Sequence, residues 1–205
     1  MFKTYLLLLA FIQISCSSNQ KSTTSQKSTY LSKSKIFELI FPEDLKPGYN
    51  IKEENSSLQV YDDFGNYYRL DYMELKENEL KEIENLNWSE ANFLAYMSEK
   101  RFFEDSILPV FPNSSITSKK SFKNHLGLNL FMVLYLPKGS SFLVNGKREN
   151  IHRGITTFRV KNYIFMAHTQ EKIELFGDSK QKNLNLIEKD LLQKSTEFLD
   201  KLKIF

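Results

Sequence analysis

Cysteine is almost absent from this 205-residue chain, whose single cysteine is Cys16. One cysteine cannot form a disulfide within the chain. The seven glycines are scattered singly, so no glycine-rich loop is present to cradle phosphate groups. These shortages exclude an internal disulfide framework and give no support to nucleotide binding.

Histidine is scarce as well, and the sequence contains no recognisable catalytic motif. His125, His152 and His168 lack the i,i+4 or paired spacing of metal ligands, so we expect neither a metal nor a cofactor. No Gly-x-Ser-x-Gly elbow occurs. Three Ser-x-x-Lys matches fall in polar segments, where chance matches are expected, and we assign no catalytic residue to them: Ser18–Lys21, Ser32–Lys35 and Ser179–Lys182.

Long apolar runs are missing except near the start, where a short one follows a positive charge. Lys3 precedes an apolar stretch from Tyr5 to Ile14 that only Gln13 interrupts. This length suits an export signal and is too short for a membrane-spanning helix, which needs about 20 apolar residues. The sequence therefore predicts a signal peptide over residues 1–15.

The residues that close this stretch, Gln13-Ile14-Ser15-Cys16, resemble the lipobox of bacterial lipoproteins, in which Leu usually occupies the position of Gln13. The resemblance implies that Cys16 carries lipid, with acyl chains such as palmitate, and becomes the N-terminus after cleavage. It also implies a protein anchored to a membrane of the bacterial cell envelope, on a periplasmic or surface face. The alternative is an ordinary signal peptide cut after Ser17, with Ser15 and Ser17 as the small residues.

Residues 16–35 have the composition of a disordered Ser/Thr/Lys tether, with four lysines and no acidic residue. We expect either a plain solvated linker or a segment that lies on anionic lipid. From Ile36 onward, 23 basic residues face 25 acidic ones. A domain so close to neutral argues against nucleic acid as a partner.

Period-2 alternation and turn signals predict an antiparallel sheet. Tyr68, Leu70 and Tyr72 alternate with polar or amphipathic neighbours, and Asn145-Gly146 is a strong signal for a two-residue hairpin. Leu128–Leu136 is nearly all apolar, which is typical of a central strand covered on both faces. Other predicted strands are Ile36–Phe41, Leu58–Tyr61, Tyr67–Met73, Ser114–Phe122, Gly139–Val144, Ile155–Val160 and Tyr163–Thr169.

Helical spacing of apolar residues predicts three helices. They cover Leu75–Leu86, Glu90–Phe103 with Ser89 as its N-cap, and Leu186–Lys203. Asn185 and Glu188 have capping-box spacing at the start of the last helix. Its predicted buried face contains Ile187, Leu191, Phe198 and Leu202.

This order of elements predicts an α+β fold: a mainly antiparallel sheet with helices packed on it, in one domain over residues 36–205. The order β-β-α-β-β-β-α with a closing amphipathic helix resembles the PsbP-like α/β/α sandwich. The resemblance covers Ile36 to Lys203, and it is one of pattern rather than of a specific motif.

The best candidate for a binding site lies in the polar stretch from Lys147 to Gly154, before a predicted strand. His152 and Arg153 from this stretch, together with Arg69 and Asp71 from the earlier hairpin, are predicted to line the mouth of a polar pocket. The alternative is an exposed hairpin end with local ion pairs worth about 0–1 kcal/mol each.

Together these features predict a membrane-anchored envelope lipoprotein that acts as a non-enzymatic binding or accessory module. Its expected partners are membrane lipid, through acylated Cys16, and an envelope protein or small ligand. Two alternatives remain open: an envelope hydrolase with a serine or carboxylate site, and a carrier of small ligands with an aromatic-lined cavity.

Overall fold

The structure is a computed structural model that describes residues 29–144, 146–171 and 183–205. The predicted signal peptide, Cys16 and the first part of the predicted tether lie outside the described residues. None of the described helices is long and apolar enough to cross a membrane.

A seven-stranded antiparallel sheet forms the centre of the domain. Its strands lie in the order β3-β4-β5-β11-β10-β7-β6, so the sheet is built from hairpins joined across the β5–β11 pair. The strands are β3 (Asn50–Glu54), β4 (Ser57–Tyr61), β5 (Tyr67–Glu74), β6 (Ser115–Asn124), β7 (Gly127–Leu136), β10 (Ile151–Val160) and β11 (Tyr163–Gln170).

Two smaller sheets accompany it. The first has the order β1-β2-β12, formed by β1 (Thr29–Leu31), β2 (Phe37–Ile40) and β12 (Leu202–Ile204), all antiparallel. The second is a short hairpin of β8 (Leu143–Val144) and β9 (Lys147–Arg148), at the predicted Asn145-Gly146 turn.

The helices begin close to the predicted positions. α1 covers Glu77–Asn85, and α2 (Glu90–Ala95) continues directly into a helical segment of the π type, Tyr96–Ile107. Ser89 is the N-cap of α2, where its side chain accepts a hydrogen bond from the amide of Asn92. α3 covers Leu184–Asp200.

The large sheet is covered on both faces, as an α+β sandwich requires. On one face, Phe131 and Val133 of β7 pack against Ile187 and Leu191 of α3. On the other face, Phe102, Phe103 and Ile107 of the π segment pack against β7 and β10. The small β1-β2-β12 sheet joins the α3 side, where Phe37 and Leu39 share a core with Leu70 and Phe198.

β7 has the predicted two-sided burial but not the predicted central position. All six residues from Asn129 to Leu134 are buried, and the strand nevertheless lies next to the edge strand β6. Two helical layers crossing the sheet near this edge account for the burial. The middle of the sheet is occupied by β5, β11 and β10.

The C-terminal helix differs from its prediction at both ends. Asn183 rather than Asn185 caps α3, because the Asn183 side chain accepts a hydrogen bond from the Asn185 amide. The helix ends at Asp200, and Leu202 is buried as part of strand β12. Pairing with β2 therefore replaces the last predicted helical turn.

Besides β12, two strands lie where the sequence predicted none. Strand β1 occupies residues 29–31 of the predicted tether, and Ser32 after it is 1% exposed and accepts hydrogen bonds from the amides of Ile36 and Phe37. Strand β3 occupies residues 50–54, for which the sequence predicted no strand. Both are short edge strands: β1 has three residues and β3 reads Asn-Ile-Lys-Glu-Glu, so neither shows the alternating apolar pattern of a half-buried strand.

Candidate functional site

The register of the central strands brings polar side chains together on one face of the large sheet. Alternation along β5 turns Tyr68 and Leu70 toward the α3 side and Arg69 and Asp71 toward the opposite side. His168 of β11 pairs directly with Arg69. Arg153 of β10 pairs with Gln170 on the same face. We call Tyr67, Arg69, Asp71, Arg153, His168 and Gln170 the polar cluster.

Asp71 is the acceptor at the centre of the polar cluster. The Nε of Arg69 lies 2.8 Å from its Oδ1, and the Nε2 of His168 lies 2.8 Å from its Oδ2. His168 is completely buried, and the ring of Phe102 from the π segment meets its imidazole edge-on at 5.4 Å. The three ionisable groups therefore form a largely buried chain under the helical layer.

Arg153 is held by neutral groups rather than by a carboxylate. Its Nη2 donates to the backbone oxygen of Gly139 at 3.2 Å, to Oγ of Ser141 at 3.0 Å and to Oε1 of Gln170 at 3.3 Å. Its guanidinium also lies 5.4 Å from the centre of the Tyr67 ring, within cation–π range. The segment after β7, residues 137–142, thus folds over the cluster and closes it.

Burial and neighbouring charge act on each member. Burial by itself raises the pKa of Asp71, but the contacts with His168 and Arg69 outweigh it and lower that pKa to about 2. Burial lowers the pKa of His168, which the contact with Asp71 only partly opposes, so the imidazole is neutral at pH 7. Burial also lowers the pKa of the Arg153 guanidinium, and the nearby Arg69 and Arg148 add to that effect.

The cluster thus contains two guanidinium groups for one carboxylate. Among the described residues, four of its buried nitrogens make no hydrogen bond: Nε of Arg153, Nδ1 and Nε2 of His168, and Nε2 of Gln170. The Nε2 of His168 is within ion-pair distance of Asp71 but is not aligned for a hydrogen bond. Its hydroxyl neighbour, Ser141, accepts from Arg153 and does not contact His168 within hydrogen-bond range. The geometry is that of a closed ionic network without a serine–histidine pair.

The structure brings together three of the four predicted site residues. Arg69, Asp71 and Arg153 all belong to the polar cluster, whereas His152 points to the opposite side of β10. There its backbone amide donates to Oε1 of Glu171 at 2.8 Å, and its ring packs beside Tyr135 at 5.4 Å. Ligand binding by these residues remains a prediction, and Cys16 lies outside the described residues.

Besides Tyr67 of β5, the members of the polar cluster that sequence reasoning missed are His168 and Gln170. Both lie on the same face of β11, at positions separated by one residue. Period-2 alternation along Tyr163–Gln170 could have placed them together, but only the pairing of β11 with β5 and β10 shows which charges they face. That pairing joins residues almost 100 positions apart.

A separate surface hollow of about 550 Å³ lies near the start of α3. Its lining contains no aromatic residue, so it differs from the aromatic cavity considered for a carrier. The lining residues are Asp44, Asn66, Glu171, Leu186, Ile187, Asp190 and Lys194. Within the described ranges, no group of three or more His, Cys, Asp or Glu side chains converges as metal ligands would.

Comparison with solved structures identifies the fold. The solution structure of cyanobacterial PsbP (CyanoP) from Synechocystis sp. PCC 6803 is similar at a TM-score of 0.54 with 8% sequence identity, over 92% of this chain and 98% of that one. A crystal structure from Bacteroides thetaiotaomicron VPI-5482 matches at a TM-score of 0.45 with 11% identity, over 88% of this chain and 49% of that one. No protein-family profile and no curated protein matches the chain. The domain therefore has the PsbP-like fold.

Proposed function

We propose that this protein is a lipid-anchored, non-enzymatic binding or accessory module of the bacterial cell envelope. The observation that carries the non-enzymatic part is the closure of the polar cluster. Its acid, its imidazole and its guanidinium groups are engaged with one another and with residues 139–141, under the π segment. Side chains held in this way stabilise the fold and are not free to contact a substrate.

The anchoring part is supported by the sequence before the domain. Cys16 follows an apolar stretch of signal-peptide length, and the first described strand begins thirteen residues later at Thr29. Acyl chains contribute about 0.8 kcal/mol per buried CH₂, so two or more chains hold a protein stably where one is marginal. The lysines of residues 16–35 add only about 1 kcal/mol each near an anionic surface, and salt screens that contribution.

The test is labelling with radioactive fatty acid and membrane fractionation in the native host. The wild-type chain is expected to incorporate label and to stay with membranes in high salt. Cys16→Ala should take up no label, whereas Gln13→Leu should process at least as efficiently as the wild type because it restores the usual lipobox residue. Unlabelled wild-type protein in the soluble fraction would contradict the anchor.

The hydrolase alternative makes an opposite prediction that can be measured on the same preparation. A serine hydrolase would react covalently with a fluorophosphonate probe, because such a probe reports an activated hydroxyl. We expect no labelling of the wild-type protein above a heat-denatured control. If the wild-type protein reacts with the probe and Ser141→Ala does not, Ser141 is a nucleophile beside Arg153 and the non-enzymatic hypothesis is wrong.

A further inference from the structure

The small β1-β2-β12 sheet has one buried face and one face directed outward. Phe37, Leu39 and Leu202 on its inner face are at most 1% exposed. The residues between them point outward: Leu31 of β1 and Lys203 of β12 both pair with Glu38 of β2. The outer face is therefore a defined surface with fixed neighbours.

Large apolar side chains remain partly exposed on and beside this outer face. Leu31 is 51% exposed, Ile40 is 41% exposed, and Phe205, which follows β12, is 48% exposed. Single exposed apolar residues are common on soluble proteins and need no explanation. These three differ because they belong to one three-stranded sheet and its immediate continuation.

Two lysines lie beside these apolar side chains. Lys35 lies in the turn between β1 and β2, and Lys203 lies beside Phe205, with its Nζ 5.0 Å from the centre of that ring. Lys33 of the same turn points toward β3 instead, where its Nζ donates to the backbone oxygen of Glu53 at 3.0 Å. Against Lys35 and Lys203 stands one acidic residue of the outer face, Glu38. The outer face is thus positive although residues 36–205 contain more acidic than basic side chains. We call Leu31, Lys35, Ile40, Lys203 and Phe205 the lysine-rimmed patch.

The lysine-rimmed patch is also the part of the domain nearest in sequence to Cys16. The chain enters the domain at Thr29, the first residue of β1, thirteen residues after Cys16. A chain of that length spans at most about 45 Å when fully extended. A lipid at Cys16 would therefore keep the first strand of the patch close to the membrane.

We infer that the lysine-rimmed patch lies on the anionic headgroups of the membrane to which Cys16 is anchored, an inference that rests on the proposed function. Half-exposed apolar side chains with a lysine rim match the boundary between headgroups and acyl chains, where lysines snorkel and attract anionic lipid. The large sheet separates this patch from the polar cluster, because Tyr68 and Leu70 face the small sheet's core and Arg69 and Asp71 face away. The polar cluster then points away from the membrane.

The first experiment measures depth in the membrane on the lipidated full chain. Because acylation blocks the thiol of Cys16, a single introduced cysteine can be labelled selectively with a fluorophore. The labelled protein is placed in vesicles of equal parts phosphatidylethanolamine and phosphatidylglycerol. Labels at Leu31→Cys and Phe205→Cys are expected to be quenched by brominated lipid and protected from acrylamide. Leu143→Cys is the matched control, since Leu143 is 57% exposed on the hairpin beside the polar cluster, and its label should show the reverse.

The second experiment uses the mature chain from residue 16 with Cys16→Ala, which carries neither the apolar signal peptide nor an acyl chain, and measures its partition onto the same vesicles. Lys35→Gln and Lys203→Gln are each expected to lower partition about fivefold, the effect of removing one lysine near an anionic surface. Lys138→Gln is the control: Lys138 is an exposed lysine with the same left-handed backbone as Lys35 and lies far from the patch, and its loss should leave partition unchanged.

The outcomes separate the two proposals. If the wild-type chain leaves the vesicles, the lipid anchor itself is wrong. If it stays and the Leu31 label is as accessible to acrylamide as the Leu143 label, the anchor stands and the docking of the patch is overturned. The protection of the Leu31 label from acrylamide could also depend on the number of protein molecules per vesicle and not on the phosphatidylglycerol content. That result would assign the patch to contact with a second copy of this chain and would equally overturn the inference.

Discussion

At Asp71, one carboxylate balances the charge of a buried arginine and contacts a buried, neutral imidazole. The Nε of Arg69 and the Nε2 of His168 both lie 2.8 Å from its oxygens. Removing one member of such a buried set leaves the others uncompensated, which typically costs about 3–5 kcal/mol. Arg69 thus depends on Asp71 for its place in the interior.

The free energy of unfolding should depend on pH through the titration of His168. Burial lowers its pKa in the folded state, so the unfolded chain binds the proton first, and stability falls as the pH drops below the unfolded pKa of about 6.5. Asp71, with a pKa lowered to about 2, adds a further loss between roughly pH 4 and pH 2. We therefore expect His168→Gln to flatten the dependence between about pH 7 and pH 5 in urea unfolding.

The matched control for this measurement is His125→Gln, whose side chain is 49% exposed. It should retain the wild-type slope. An unchanged slope in His168→Gln, or a flattened one in His125→Gln, would show that the buried imidazole is not the responsible group.

Among the secondary-structure elements, β7 carries the largest continuous share of the core. Leu134 is completely buried among residues of the π segment and β10. Leu134→Asp should destabilise the domain by several kcal/mol because it buries a charge without a partner. Thermal unfolding checks this, with Leu143→Asp at a 57% exposed position as the control. Equal melting temperatures for the two variants would contradict the burial of β7.

Helix α3 packs closely on the sheet at Gly154 of β10. A Cβ at this position would lie 2.7 Å from Oγ1 of Thr169 and 3.3 Å from Cβ of Leu191. Gly154→Ala should therefore displace α3 and cost about 1–3 kcal/mol. Thr169→Ala removes the nearest atom, so in a double-mutant cycle the two changes together should cost less than their sum. Strict additivity in urea unfolding would contradict the close approach.

The elements that were predicted correctly are those whose signal is local. Alternation in Tyr67–Met73, the Ser89 cap and the apolar run of β7 each depend on neighbours in sequence. The elements that were missed depend on distant partners: β12 exists because β2 lies beside it, and β1 and β3 are edge strands too short to show a clear alternation. The candidate site followed the same rule, because Arg69 and Asp71 share a strand whereas His168 reaches them only through the β5–β11 register.

At the scale of the whole molecule, the fold is held by apolar packing on both faces of one large sheet. The core on the α3 side contains Phe158 stacked on Phe165 at 5.2 Å and Tyr68 stacked on Phe198 at 5.3 Å. Interactions of this kind need no bound ion, and the three histidines have no ligand spacing. We expect the melting temperature of the purified protein to be the same with and without a strong chelator. A marked decrease would reveal a structural metal.

Because the chain enters the domain through β1, any mechanical pull from the segment before Thr29 would be borne first by that strand. β1 is an edge strand of three residues, paired only with β2 in the small sheet and held by Tyr30, whose hydroxyl donates to Oε2 of Glu53. We expect β1 to separate from β2 under such a force before the strands of the large sheet separate from one another, because only three residue pairs and the Tyr30 contact hold it. The segment between the membrane and the domain would then become longer by the residues of β1 while the rest of the domain stays folded.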